Sequence, residues 1–330
     1  MKKLASSYGY RGIYIDIDGI RHGYLVEGKF EESRVDFEDF IITPTFFNAH
    51  THLGDSIAKD PPFIDLRSMV GPGGYKFRIL SSHSIEELRS AILNEIEIAK
   101  KAGTAFFLDF RESGMEGLRV VEGIDCIIPL GRPRSVEEAE KMSCIGFAMS
   151  SVRDHNLDFL IEVRKIAKKR NLMFAIHAGE IDCDDVERAI ELKPDLVVHM
   201  NSCIDFLRNL IEEEIPIVSC IRSNAFFDLV NPRAYKILSS YEKWLLGTDN
   251  GMLFNPSMLE EMHFSSLILK DDWSILRAAI NGHRIFGGKL GLKKGYIVFH
   301  KKWNFRNAKN PIATLVRRAS FIDIEAIVCC

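Results

Sequence analysis

Two histidines separated by a single threonine close an apolar run in FFNAHTHLGD, at His50 and His52. In an extended chain, residues two apart point to the same face, so both imidazoles can address one point. Three more polar residues end apolar runs further along: His177 in MFAIHAGE, His199 in LVVHMN and Asp249 in LLGTDNG. Packing alone gives no reason for such groups to recur at the ends of apolar runs. Imidazole and carboxylate are the donors that hold a catalytic divalent cation, which lowers the pKa of a bound water to ~7 and supplies hydroxide near neutrality. The other histidines, His22, His83, His155, His263, His283 and His300, fall in loops, helices or the outer β-region and are read as packing or surface residues.

Those groups need elements to aim them. Apolar runs at 45–49, 104–110, 125–130, 144–149, 172–177, 196–199, 215–219 and 244–248 are near-continuous rather than alternating, as expected of parallel strands covered on both faces. Helical patterns lie between them. Residues 85–101 have Ser84 as N-cap and Gly103 just past the end, and 154–170, 184–191 and 204–214 follow the same logic. Strand–helix alternation repeated about eight times predicts an α/β fold, a (β/α)8 TIM-type barrel over 44–294, with a doubly wound open sheet as the alternative. Barrel active sites sit at the C-terminal ends of the strands, where these histidines fall. Residues 12–42 read as hairpins, and 295–300 and 312–328 as further strands, giving a small β-domain assembled from both termini, 1–43 and 295–330. The segment 53–83, with Pro61-Pro62 and Gly71-Pro72-Gly73-Gly74, is a long loop and a lid candidate.

Composition narrows the class. The 330 residues are 46% hydrophobic and 27% charged, the balance of a globular chain with a sizeable core. A net charge of -3 leaves no electrostatic footprint for nucleic acid. No apolar run is long enough for a membrane span, and residues 1–7 lack the apolar stretch of a signal peptide, so the expected location is cytoplasmic. The cysteines Cys126, Cys144, Cys183, Cys203, Cys220, Cys329 and Cys330 are odd in number and scattered, which argues against a disulfide framework or a thiolate zinc site and reads most of them as buried, inert thiols. The adjacent Cys329 and Cys330 receive no role.

FFNAHTHLGD, HAGE, VVHMN and LLGTDNG resemble, in this order, the metal-binding motifs of the amidohydrolase superfamily, and the likeness extends over most of the chain. The HAGE stretch and Cys220-Ile221-Arg222-Ser223-Asn224 are similar to the adenosine-, cytosine- and guanine-deaminase-like branches. The resemblance implies one divalent ion, zinc ahead of iron, held by His50, His52, His177 and Asp249. Two-metal members use a carboxylated lysine at the end of the fourth strand, and residues 144–160 contain no lysine. In this reading Asp249 also takes a proton from the bound water, His199 orients the hydroxide, and Glu180 protonates a ring nitrogen of the substrate. Ser223 and Asn224 would join the substrate site. The resemblance further implies a homo-oligomer.

Arg111, Arg132, Arg153 and Arg222 also follow strands. Turned into the mouth they would bind phosphate or carboxylate on a substrate; turned aside they would pair with Asp109, Glu112 or Asp154. The expected function is hydrolytic deamination of a nucleobase, nucleoside or related amino-heterocycle, with a small molecule as partner rather than nucleic acid or membrane. Hydrolysis of an amide, cyclic amide or C–Cl bond at the same site is the alternative, and a non-catalytic metal-binding barrel is the third reading.

Overall fold

The computed structural model describes residues 9–34 and 38–329; the sequence readings of residues 1–7 and Cys330 lie outside them. Strands β1 (Tyr10–Asp16), β2 (Gly19–Val26), β3 (Lys29–Glu32) and β4 (Phe40–Pro44) lead into the barrel strands. These are β5 (Phe46–His52), β6 (Thr104–Arg111), β7 (Ile127–Gly131), β8 (Gly146–Met149), β9 (Met173–Ala178), β10 (Leu196–His199), β11 (Ile217–Ser219), β12 (Trp244–Leu246) and β13 (Asp249–Asn250). The chain ends with β14 (Gly295–His300) and β15 (Ile324–Cys329). The terminal strands form one six-stranded sheet, in the order β15-β14-β4-β1-β2-β3.

The barrel strands lie parallel and in sequence order, and β13 returns to pair with β5. Strands β12 and β13 are two ends of an eighth barrel strand. Between them Gly247 N donates to Ser219 O at 3.1 Å on one side, and Thr248 N donates to His50 O at 3.1 Å on the other, which closes the ring. Position 247 has to be glycine because a Cβ there would lie 2.7 Å from His50 Cβ.

Burial on both faces explains the continuous apolar runs. Leu108 and Phe110, Ile128 and Leu130, Ala175, Val198, Val218 and Leu245 pack into one cluster inside the barrel. The residues between them, such as Phe147, Ile176, Val197, Ile217 and Trp244, pack outward against helices. Along β5, Phe47 and Ala49 belong to the interior cluster, and the register with β6 shifts between Asn48 and Thr51. That irregularity turns His50 and His52, rather than Thr51, toward the centre.

The helix Ile85–Lys101 matches the sequence pattern because its ends are chemically marked. Ser84 Oγ accepts from Glu87 N at 3.2 Å and Glu87 accepts from Ser84 N at 2.8 Å, a reciprocal capping box, while Gly103 takes φ +88 beyond the end. Helices Leu157–Lys169, Val186–Glu191 and Ile204–Glu212 fall within the expected segments.

Three expectations are corrected. Residues 312–328 are not one strand region: Asn310 accepts from Ile312 N and Ala313 N and starts a helix, Pro311–Arg318, so only β15 is extended. The segment 53–83 is not a structureless loop; it carries a 3-10 turn, Leu53–Ala58, and helices Leu66–Val70 and Tyr75–Ser81. Cys183 and Cys203 are joined in a disulfide, with Cα atoms 5.4 Å apart, and are not inert thiols. Among the described residues no helix is long and apolar enough to cross a membrane.

Replacing Ser84 with alanine removes one half of the capping box and costs about 1 kcal/mol. The expected readout is a lower urea midpoint with an unchanged slope.

Candidate active site

The strand ends deliver their polar groups to one place. His50 Nε2 lies 3.2 Å from Asp249 Oδ1 and 3.3 Å from His177 Nε2, and His52 Nε2 lies 3.7 Å from the same Asp249 oxygen. The His199 ring is 5.4 Å from that of His177 and 6.0 Å from that of His50. Glu180 Oε2 stands 3.5 Å from His199 Nε2. Ser223 Oγ donates to Asp249 Oδ2 at 2.5 Å, and Asn224 Nδ2 donates to the Tyr235 hydroxyl at 2.8 Å. His52, His177, Glu180, His199 and Asp249 face one cavity at the C-terminal mouth of the barrel.

The outward nitrogens fix the tautomers. His177 Nδ1 is 2.8 Å from Met149 O, and His52 Nδ1 is 2.7 Å from Glu112 and 3.2 Å from Phe110 O, so each carries its proton on Nδ1. Their Nε2 lone pairs therefore point inward, at another imidazole nitrogen and at a carboxylate. Buried lone pairs and a negative charge facing one another repel, and a cation between them reverses the sign. The N and O donors suit zinc or iron. The inward-facing acceptors thus fit a divalent ion.

Electrostatics separate the two carboxyl groups. Burial lowers His50, His52, His177 and His199 below the ordinary imidazole value, keeping them neutral. Burial pushes Asp249 up, but its hydrogen bond to His50 and the surrounding imidazoles hold it well below the usual carboxylate range. Glu180 goes the other way: burial, then the charges of Asp249, Asp185 and Asp154, lift it well above that range. The two neighbouring carboxyls are thus pushed in opposite directions, Asp249 toward the ionised form and Glu180 toward the protonated one. Backbone strain gathers here as well, with φ of +79 at His199, +60 at Met200 and +61 at Asp249. Such left-handed positions cost about 1–3 kcal/mol each and persist where surroundings enforce them.

The four arginines divide. Arg132 and Arg153 line the cavity. Arg153 spends both ends of its guanidinium on Asp182, and Arg132 donates Nε to Ala148 O at 3.3 Å while standing 3.9 Å from Glu112. Arg111 turns to Asp109 at 3.3 Å, and Arg222 is bound by Glu261 at 2.7 Å and Glu260 at 3.1 Å; neither lines the cavity.

Sequence reasoning passed over Lys76. Its ammonium is buried, 2.5 Å from Glu112 and 2.9 Å from Asp55, and it lines the same cavity. Glu112, pushed up by burial, is held well down by Lys76 and His52 and remains the anion that orients His52. Burial pushes Asp55 up to about 6 against the pull of Lys76. Glu112 was discoverable, since it directly follows β6; nothing in the sequence near Lys76 announces a partner.

The model of the amidohydrolase family matches residues 41–298. A protein of Archaeoglobus fulgidus named "Putative aminohydrolase" is 53% identical over 97% of this chain and 96% of its own length. Among solved structures, a zinc-bound adenosine deaminase from Xanthomonas campestris superposes with a TM-score of 0.74 at 16% identity, covering 96% of this chain and 90% of that one. A zinc-complexed atrazine chlorohydrolase from Arthrobacter aurescens gives 0.75 at 10% identity, covering 93% and 90%.

Exchanging Lys76 for methionine leaves Glu112 and Asp55 buried without their cation. Stability should fall by about 3–5 kcal/mol, measured by denaturant unfolding at neutral pH. An unchanged midpoint would mean that the pair is solvated.

Proposed function

Because the chain belongs to the amidohydrolase family, a family of metal-dependent hydrolases acting on C–N bonds, we propose that it hydrolytically deaminates an amino-substituted heterocycle, a nucleobase, nucleoside or close relative. One divalent ion, zinc ahead of iron, held by His50, His52, His177 and Asp249, would lower the pKa of a water molecule and supply the nucleophile. The reaction consumes water, converts ring C–NH2 to C=O and releases ammonia.

The remaining work belongs to the side chains. Asp249 is ionised and its Oδ2 is occupied by Ser223, so Oδ1, the oxygen facing His50 and His52, is the proton acceptor. Neutral His199 donates to the oxygen that adds to the ring carbon. Glu180, whose carboxyl is lifted well above the usual carboxylate range, would hand a proton from Oε2 to a ring nitrogen, which makes the neighbouring carbon electrophilic. Arg132, which lines the cavity with Nη2 3.9 Å from Glu112, would serve as a substrate contact, and Asn224 would support His199 through a side-chain hydrogen bond.

The observation that carries this reading is the place of Glu180. Atoms of Glu180, His199 and Asp249 lie within 4.8 Å of one another on one wall, so an acid and a base face the same small volume. Opening a simple amide needs no ring acid; deamination of a heterocycle does.

Two measurements test it. After equilibration with zinc and desalting, the protein should retain about one equivalent of metal, and His177→Ala should retain none. In a screen of aminopurines, aminopyrimidines and their nucleosides, wild-type protein should release ammonia, and Glu180→Gln should be slower by about 10²–10⁴-fold with its zinc retained. Metal-loaded protein that frees no ammonia from any of them would remove the proposal.

A further inference from the structure

The loop that carries Glu180 leaves β9, and the loop that starts at His199 leaves β10. They are laced together along their length. Met200 N donates to Ala178 O and Ser202 N to Gly179 O, both at 2.9 Å. The Glu180 carbonyl accepts from Asn201 Nδ2 at 3.0 Å and Ser202 Oγ at 2.6 Å. Gly179, at φ +62, packs so closely that a Cβ there would meet Met200 Sδ at 3.1 Å and Cys203 Sγ at 3.2 Å. Beyond these contacts the Cys183–Cys203 disulfide joins the two loops covalently, just after the Glu180 carboxyl and just after the His199 turn. At the base of the loop Asp185 accepts from Gly179 N at 3.0 Å and from Ser151 Oγ at 2.7 Å.

We propose that the Cys183–Cys203 disulfide is a positioning element that holds Glu180 against His199, and that its reduction slows the reaction. The inference rests on the deaminase reading of Glu180. The bond is accessible: Cys203 is buried, but Cys183 is partly exposed and lies in a surface groove with Arg233 and Lys236, away from the active-site cavity. A dithiol reductant would attack Cys183 Sγ, breaking the S–S bond and expelling Cys203 as a thiolate that takes up a proton. Its second thiol then attacks the mixed disulfide, closes the reductant into its own disulfide and releases Cys183 as a thiol. Two electrons pass to the protein and none is left unpaired.

With the clamp open, hydrogen bonds alone hold two adjacent left-handed residues, His199 and Met200, beside the Glu180 carbonyl. A displacement of an acid by about 1 Å can cost 10²-fold in rate. A proton donor acts in the transition state, so the loss belongs in kcat rather than KM.

The test uses the full-length, zinc-loaded protein. Peptide mapping without reductant should recover residues 183 and 203 in one linked pair. Protein reduced with dithiothreitol, alkylated with iodoacetamide and returned to zinc should keep its metal, lose about tenfold or more in kcat with little change in KM, and exchange the amides of residues 179–186 faster while barrel amides stay protected. Cys183→Ser should behave likewise. A missing linked pair, or reduced protein whose 179–186 exchange is unchanged, overturns the inference. Should no substrate release ammonia, the deaminase reading fails separately, and the exchange measurement still decides the clamp.

Discussion

An ionised carboxylate buried among imidazoles, at Asp249, is the constraint on which the rest of the structure depends. An isolated buried charge is costly unless hydrogen bonds and opposite charge offset it. Here Ser223 supplies a hydrogen bond, and the Nε2 atoms of His50, His52 and His177 gather beside the carboxylate as a donor set that a divalent cation would satisfy. The fold accommodates the carboxylate at some cost. The eighth barrel strand is broken at Gly247 so that it can close on β5, and Asp249 itself sits at φ +61. Closure of the ring and placement of the charge are therefore the same event: the hydrogen bond from Thr248 N to His50 O ties the carboxylate's strand to the strand of the first two histidines.

Around that charge the environments of neighbouring acids diverge. Glu112 has Lys76 and His52 against it, which hold it down; Glu180 is lifted by burial and then by the charges of Asp249, Asp185 and Asp154. The two faces of the cavity thus have different tasks. The β6 side, with Glu112, Lys76 and Asp55, fixes an imidazole; the β9 and β10 side sets Glu180 against His199, where the proposed function needs a proton donor. Environments that push pKa values apart are how one site holds an acid and a base at the same pH.

Much of this was legible because it is local. His50 and His52 show themselves through period-two spacing at the end of an apolar run, and His177, His199 and Asp249 through the same terminal placement. The helix from Ile85 carries its own boundary marks in Ser84, Glu87 and Gly103. What escaped depends on distant partners. Lys76 reads as an ordinary surface lysine until Asp55 and Glu112 are folded against it. Cys183 and Cys203 are spaced like unrelated thiols until β9 and β10 lie side by side. Arg222 sits in a motif that suggested substrate, yet Glu260 and Glu261 from a later helix claim it. The 312–328 segment misled for a different reason: its apolar residues suit a strand, but the Asn310–Pro311 helix start outweighs them.

The terminal sheet bears on how the molecule is made. Strand β4 runs directly into β5 and His50, and its outer neighbour is β14, which comes from the far end of the chain. On the ribosome, β4 has no such neighbour until nearly all of the polypeptide has emerged, and the barrel seam beside β5 stays open until Asp249 arrives. Unpaired strand edges are surfaces through which nascent chains stick to one another. Until both partners join, β4 and β5 each expose one edge, so the aggregation hazard of this fold belongs to the partly synthesised chain rather than to the finished one.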